Sequence, residues 1–278
     1  MLTDYHVHLR RDDPDDPETS AARAFTAANA DRYRTVASER GIEELGVSEH
    51  IYRFSAALDV WQHPFWRSQA VDDLDAYCAF VRDETDLRLG IEADFVVGAE
   101  DRMASLLDGY EWDYVVGSVH FIREGAVDHE DFDVWDGARD PDEVWRRYFE
   151  TLGEAARSGL FDVLAHPDLV KMWGRGKPQP DRDPRFYYEP AVEAIAESGV
   201  AVEVSTAGLR KPTAEIYPAP ELAAMCVEAG VAFALSSDAH VPGDVGHAYE
   251  RAVSEMRSWG IEELAVFERR RRRLEPLG

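Results

Sequence analysis

Two histidines separated by one residue, in Asp4-Tyr5-His6-Val7-His8, are the first residues of the chain with the means to do chemistry. Residues two apart in a strand point to one face. A strand here would aim both imidazoles at one point, as two ligands of one metal require. Residues of the same type recur downstream: His50, Glu92, His120, His166, Asp238 and His240. Six imidazoles and two carboxylates exceed the needs of a single ion, since a structural zinc takes about four ligands and a catalytic one about three plus water. The set predicts two to three divalent ions with at least one shared carboxylate. Nitrogen and oxygen donors without thiolate suit zinc, manganese or iron. Taken singly, each histidine also reads as a hydrogen-bonded structural residue; the weight lies in the set.

The elements that must position these residues follow from the apolar pattern. After the first strand, residues 43–48 read as a second, with Glu49-His50 at its end. Residues 88–93 form a third, with Glu92 near its end, and 114–119 a fourth, ending at His120. Residues 162–165 lead into His166-Pro167, 200–205 into Thr206, and 231–235 into Ser236-Ser237-Asp238-Ala239-His240. Helical patterns lie between them: from a Thr19 or Ser20 cap to about residue 40, then 71–84, 101–107, 141–158, 190–197 and 221–228. Two more, 245–259 and 261–274, close the chain. Strands alternating with helices predict a parallel sheet with right-handed crossovers. Every candidate ligand falls at or just past a strand's C-terminal end, the edge on which (β/α) barrels build their sites. The expectation is an α/β fold in one domain spanning residues 1–278, since no linker or repeat interrupts the pattern.

The net charge of -25 disfavours polyanionic partners, so neither nucleic acid nor an anionic membrane is expected. The basic run at residues 269–273 suits the C-terminus of the last predicted helix. No run of about 18 apolar residues predicts a membrane span, and the N-terminus lacks a signal-peptide pattern. Cys78 and Cys226 alone give no disulfide framework, so a cytoplasmic setting is expected. Neither a phosphate-binding Gly-rich loop nor a Gly-x-Ser-x-Gly elbow is present, which leaves nucleotide and serine chemistry without support. The number of subunits is left open.

In order, DYHVH, SEH, GIEADF, GSVHF, AHPDL and SSDAH resemble the motifs of the polymerase and histidinol phosphatase (PHP) superfamily, over residues 4 to about 247. The stretch EVSTAGLRKPTAEIYP is similar to that of the histidinol-phosphatase branch. The resemblance implies a distorted seven-stranded (β/α)7 TIM-like barrel with a trinuclear metal site. It implies one ion on His6, His8, Glu92 and Asp238, a second on Glu92, His120 and His166, and a third on His50 and His240. The family's third ion usually takes a further histidine from the loop after His-x-His. That loop here has none, so Asp12 or Asp13, with Asp13 favoured by spacing, is the candidate to supply a carboxylate instead; the alternative is a third ion weakly held or absent.

The implied reaction is hydrolysis of L-histidinol phosphate, a small phosphate monoester, in histidine biosynthesis. Arg210, Arg123 and Lys171, on loops after strands, are candidates for contact with phosphate, in that order. Asp94 is a candidate partner of a ligand. Tyr52, Phe54 and Trp61 either receive the histidinol group or pack a lid. His63, His129 and His247 lie outside the motifs and read as loop residues. The alternatives are a PHP-type enzyme for another small ester, a nucleotide or phosphotyrosine, and a silent scaffold. A silent copy is expected to have lost ligands, and all eight are present.

Overall fold

A parallel sheet of seven strands runs through the computed structural model, which describes residues 1–11, 21–136 and 140–278. Its strands are β1 (Thr3–Asp4), β2 (Glu44–His50), β3 (Arg88–Asp94), β4 (Tyr114–Ser118), β7 (Val163–Leu164), β8 (Ala201–Ser205) and β9 (Phe233–Ser236). They neighbour one another in chain order. A small hairpin, β5 (Phe121–Ile122) and β6 (Gly125–Ala126), is inserted after β4. The first and seventh strands meet beyond their ends, where Val7 bridges Ala239. There the His8 amide donates to the Ala239 carbonyl at 2.8 Å and the Ala239 amide to the His6 carbonyl at 3.2 Å. The result is the nearly closed α/β barrel expected from the pattern.

Period-two alternation sorts the strand residues into two layers. Leu45, Val47, Leu89, Ile91, Val115, Val202, Val204 and Leu235 join the large core beneath the helices. Tyr114, Val116, Val163, Ala201 and Ala234 form a separate cluster inside the barrel. The Tyr114 ring lies across two glycines: a Cβ on Gly46 or on Gly90 would come within 2.3 Å of it. Glycine at those positions lets a large ring fill the barrel floor, leaving its upper end to polar residues.

Local chemistry sets the helix ends. The Thr26 hydroxyl accepts from the Asn29 amide and caps Ala27–Glu39, so this helix starts later than a Thr19 or Ser20 cap would place it. Asp73 caps Leu74–Glu84 with two bonds, to the amides of Asp75 and Ala76. Asp140 caps Pro141–Arg157, with Pro141 in the first turn, where a missing N–H costs nothing.

The largest departure from expectation is at residues 261–274, which are not a helix. They form an antiparallel hairpin of β10 (Glu263–Glu268) and β11 (Arg271–Pro276). The turn is Arg269-Arg270, with φ of 50° and 58°, the geometry of a two-residue turn with both central residues left-handed. Surrounding groups impose it on residues that do not favour it. The Arg269 amide donates to the Asp113 carboxylate (3.2 Å), the Arg270 amide to the Asp113 carbonyl (2.8 Å), and the Arg270 guanidinium reaches Asp162 (2.9 Å). Ala265, Val266 and Phe267 enter the inner cluster beside Tyr5 and Tyr114 and close the barrel floor. A short apolar run such as Leu264–Phe267 has no period that separates helix from buried strand. Arg269 and Arg270 of the basic run thus clamp the barrel base, and the run is not a helix end.

Candidate metal centre

Parity along β2, β3 and β9 carries the polar residues to the upper end. Gly46, Ser48 and His50 share one face of β2; Gly90, Glu92 and Asp94 share one face of β3. His50 pairs with Glu92 in register. His120 lies two residues past the end of β4, and His166 two past β7. The chain departs from strand geometry between Asp4 and Val7, so β1 is shorter than the predicted strand; His6 and His8 still converge.

They converge on Glu92, which is 1% exposed. Its Oε2 lies 3.3 Å from His6 Nε2, 3.6 Å from His8 Nε2 and 2.5 Å from His50 Nδ1. Its Oε1 lies 3.4 Å from His120 Nε2 and 3.2 Å from His166 Nε2. Asp238 Oδ1 completes the group, 3.6 Å from His6, 3.4 Å from His8 and 3.1 Å from His240. Three triads have ligand atoms mutually within 4.8 Å: His6-His8-Asp238, His6-Glu92-His166 and His8-His50-His240. The first lies within the set expected for one ion. In the second, His6 stands with Glu92 and His166, while His120 approaches the same Glu92 oxygen as His166. In the third, His8 joins His50 and His240, stacked at 4.1 Å and 4.2 Å between ring centroids. Asp12 and Asp13 lie outside the described residues.

The donors fit divalent cations. His6 Nε2, both nitrogens of His8 and Glu92 Oε2 are buried without a hydrogen bond, an arrangement that is costly unless something else binds there. Burial alone would raise the Glu92 pKa; His50, His6 and His120 outweigh it and hold the carboxyl well below its usual range. Burial also disfavours charge on His120, but Asp94 and Glu92 lift its pKa to about 10. On His8, burial and the neighbouring His50 and His240 push the pKa well below the ordinary value, which keeps a ligand lone pair free. The cluster is therefore built to hold positive charge between anions.

Partners behind the candidate ligands orient them. Asp94 Oδ1 meets His120 Nδ1 at 2.7 Å, leaving Nε2 to face Glu92. Glu203 Oε1 does the same for His6 Nδ1 at 2.9 Å. Glu49 accepts from the amides of Leu9 (2.7 Å) and Arg10 (3.0 Å) and pairs with Arg53, fixing the chain as it leaves His8. Neither Glu203 nor Glu49 was singled out for this work from the sequence. Glu203 lies in Val202-Glu203-Val204, where alternation normally marks the polar residue as solvent-facing.

A cavity of about 300 Å³ opens above the cluster, walled by Tyr52, Phe65, Phe121, Leu169, Met172 and Tyr217 among others. Its wall also carries Lys211, Asp128 and His129, which sequence reasoning passed over or treated as ordinary loop residues. The three candidate cations fall elsewhere. Arg123 is exposed in the turn between β5 and β6, with φ of 58°, outside the cavity wall. Lys171 is buried on Asp168 (2.9 Å), Glu215 (3.2 Å) and the Ile216 carbonyl (3.0 Å). Arg210 donates through Nη2 to the carbonyls of Ser237 and Asp238, each at 2.8 Å, and so supports a candidate ligand whose own φ is 52°. Tyr52 stacks on His50 at 4.6 Å, whereas Phe54 is wholly buried and Trp61 packs on His63 and Phe121.

A barrel with several histidines gathered on one buried carboxylate at its upper end defines the class, and residues 24–207 match the PHP domain model. The chain belongs to the PHP family. Within it, the chain belongs to the histidinol-phosphatase branch. A probable histidinol-phosphatase of Deinococcus radiodurans is 36% identical over 251 residues, 88% of this chain and 91% of that protein. The histidinol-phosphatase of Bacillus subtilis is 27% identical over 61% of this chain and 69% of its own. The fold is shared with histidinol phosphate phosphatase from Lactococcus lactis, solved with zinc, L-histidinol and phosphate. That match has a TM-score of 0.71 at 19% identity, covering 98% of each chain.

Proposed function

We propose that this chain is a metal-dependent phosphomonoesterase that hydrolyses L-histidinol phosphate to L-histidinol and phosphate, with two to three zinc, manganese or iron ions. The observation that carries the reading is the convergence of five imidazoles on the Glu92 carboxylate beneath an open cavity. The relatives' activity supports it. His6, His8 and Asp238 would hold one ion, Glu92, His120 and His166 a second, and His50, His240 and His8 a third, with Asp13 the further candidate. Bound divalent ions supply phosphoryl charge neutralisation and a water of lowered pKa.

The protein's own groups divide the remaining work. Lys211, at the mouth, is the cation on the cavity wall and suits a phosphoryl oxygen. Asp128 is the wall's carboxylate outside the ligand set and suits the substrate's ammonium. Tyr52, Phe65 and Phe121 supply apolar faces for an imidazole. Arg210 holds the Asp238 loop. The free thiols Cys78 and Cys226 fit a reaction in the cytoplasm. Among the described residues, no helix is long and apolar enough to cross a membrane.

Phosphate release should be measured on L-histidinol phosphate, an aryl phosphate, a nucleotide and phosphotyrosine. The highest kcat/KM is expected on L-histidinol phosphate. A higher value on the nucleotide or phosphotyrosine would move the chain to another PHP activity, and no release by metal-loaded protein would make it a scaffold. Lys211→Ala should lower kcat/KM on L-histidinol phosphate and the aryl ester alike, by roughly 10- to 100-fold, the loss of one charge-assisted hydrogen bond. Asp128→Asn should lower it on L-histidinol phosphate and spare the aryl ester. Equal losses on both esters in Asp128→Asn would remove Asp128 from amine recognition.

A further inference from the structure

We propose that Glu203 is a positioning residue shared by two ion sites: one carboxylate oxygen fixes the tautomer of His6 while the other anchors the backbone of His166. The inference rests on the metal-centre reading above.

Glu203 is the middle residue of β8 and is wholly buried. Oε1 lies 2.9 Å from His6 Nδ1. Oε2 accepts the His166 backbone N–H at 2.8 Å. Among the described residues, the only ionisable group within ion-pair distance of Glu203 is His6. A buried carboxylate without a lysine or arginine is costly to maintain. The positive charge it needs can reach it through the His6 ring, from an ion on the far nitrogen, as in carboxylate–histidine–metal triads.

Both oxygens are needed as acceptors. The first holds the hydrogen of His6 on Nδ1 and leaves the Nε2 lone pair facing Glu92 and Asp238. The second fixes a residue with φ of 25°, a backbone conformation that side chains other than glycine's disfavour. His166 belongs to the triad with Glu92, and His6 to that triad and to the one with His8 and Asp238. Among the described residues, Asp94 by contrast supports His120 alone.

Glu203→Gln separates these roles, because an amide has one acceptor and one donor end. With its NH2 toward His6, Nδ1 must accept, the ring hydrogen moves to Nε2, and that nitrogen no longer ligates. With its NH2 toward His166, two N–H groups face each other and the turn loses its anchor.

The test is competition for zinc between a chelator and the full-length protein, read as zinc bound per chain. Glu203→Gln should weaken binding of two ions by about 10- to 100-fold, whereas Asp94→Asn should weaken one. Wild-type zinc affinity in folded Glu203→Gln overturns the proposal, as does a lowered unfolding temperature of the metal-free variant with zinc binding unchanged. Should Glu203→Gln fail to fold, the wild type decides. In the zinc-loaded protein, ring 15N shifts of His6 should show a protonated Nδ1 and a zinc-bound Nε2; the reverse assignment overturns the inference. A wild-type protein that binds no zinc sinks the metal-centre reading itself, an outcome distinct from a variant that binds as well as wild type.

Discussion

Glu92→Gln is expected to lower zinc content and turnover together, turnover by about 10³-fold, at the upper end of what a single electrostatic contact supplies. The carboxylate is divided between two groups: Oε2 faces His6, His8 and His50, and Oε1 faces His120 and His166. An amide cannot serve both. One of its ends becomes a donor aimed at ring lone pairs, and the negative charge that binds cations among five imidazoles is gone. Asp94→Asn should do less, because among the described residues its carboxylate bonds to His120 and to none of the other histidines. Elemental analysis and steady-state rates on the same preparation check this. Normal metal content with normal turnover in Glu92→Gln would take Glu92 out of the centre.

Exhaustive chelation is expected to abolish phosphate release, and zinc, manganese or iron to restore it. The same treatment should lower the unfolding temperature. An ion present at a thousand times its dissociation constant contributes about 4 kcal/mol to the folded state, and its removal returns buried, unbonded atoms such as His6 Nε2 and Glu92 Oε2 to an uncompensated state. Thermal unfolding and phosphate release, followed before and after metal is restored, give both readings. Undiminished activity in protein shown to be free of metal would end the metallophosphatase reading.

The eight candidate ligands and the barrel were legible because a side chain's type and its place at a strand end are both local properties. What was not legible depends on neighbours distant in sequence. Glu203 alternates with valines as a solvent-facing residue would, and only closure of the sheet shows that its face is the barrel interior. Arg210 suggested a phosphate contact by its charge, yet its reach to the carbonyls of Ser237 and Asp238 is set by the loop after β9. Lys211, next to it, lines the cavity instead. Residues 261–274 were read as a helix because four consecutive apolar residues have no period of their own; the barrel floor and Asp113 decide their form.

The seam between β1 and β9 has a consequence for genetics. Few backbone bonds cross it, chiefly those between His6, His8 and Ala239. Side chains complete the clasp: Asp4 accepts from the Ser237 amide (2.9 Å) and hydroxyl (2.5 Å) and from the Gly246 amide (3.0 Å). His6, His8, Asp238 and His240 stand at the same junction, so ions held as proposed would fasten opposite ends of the chain. A substitution there acts twice, on the chemistry and on the latch that shuts the ring. Mutations at the clasp are therefore non-additive with one another, as expected for residues sharing partners.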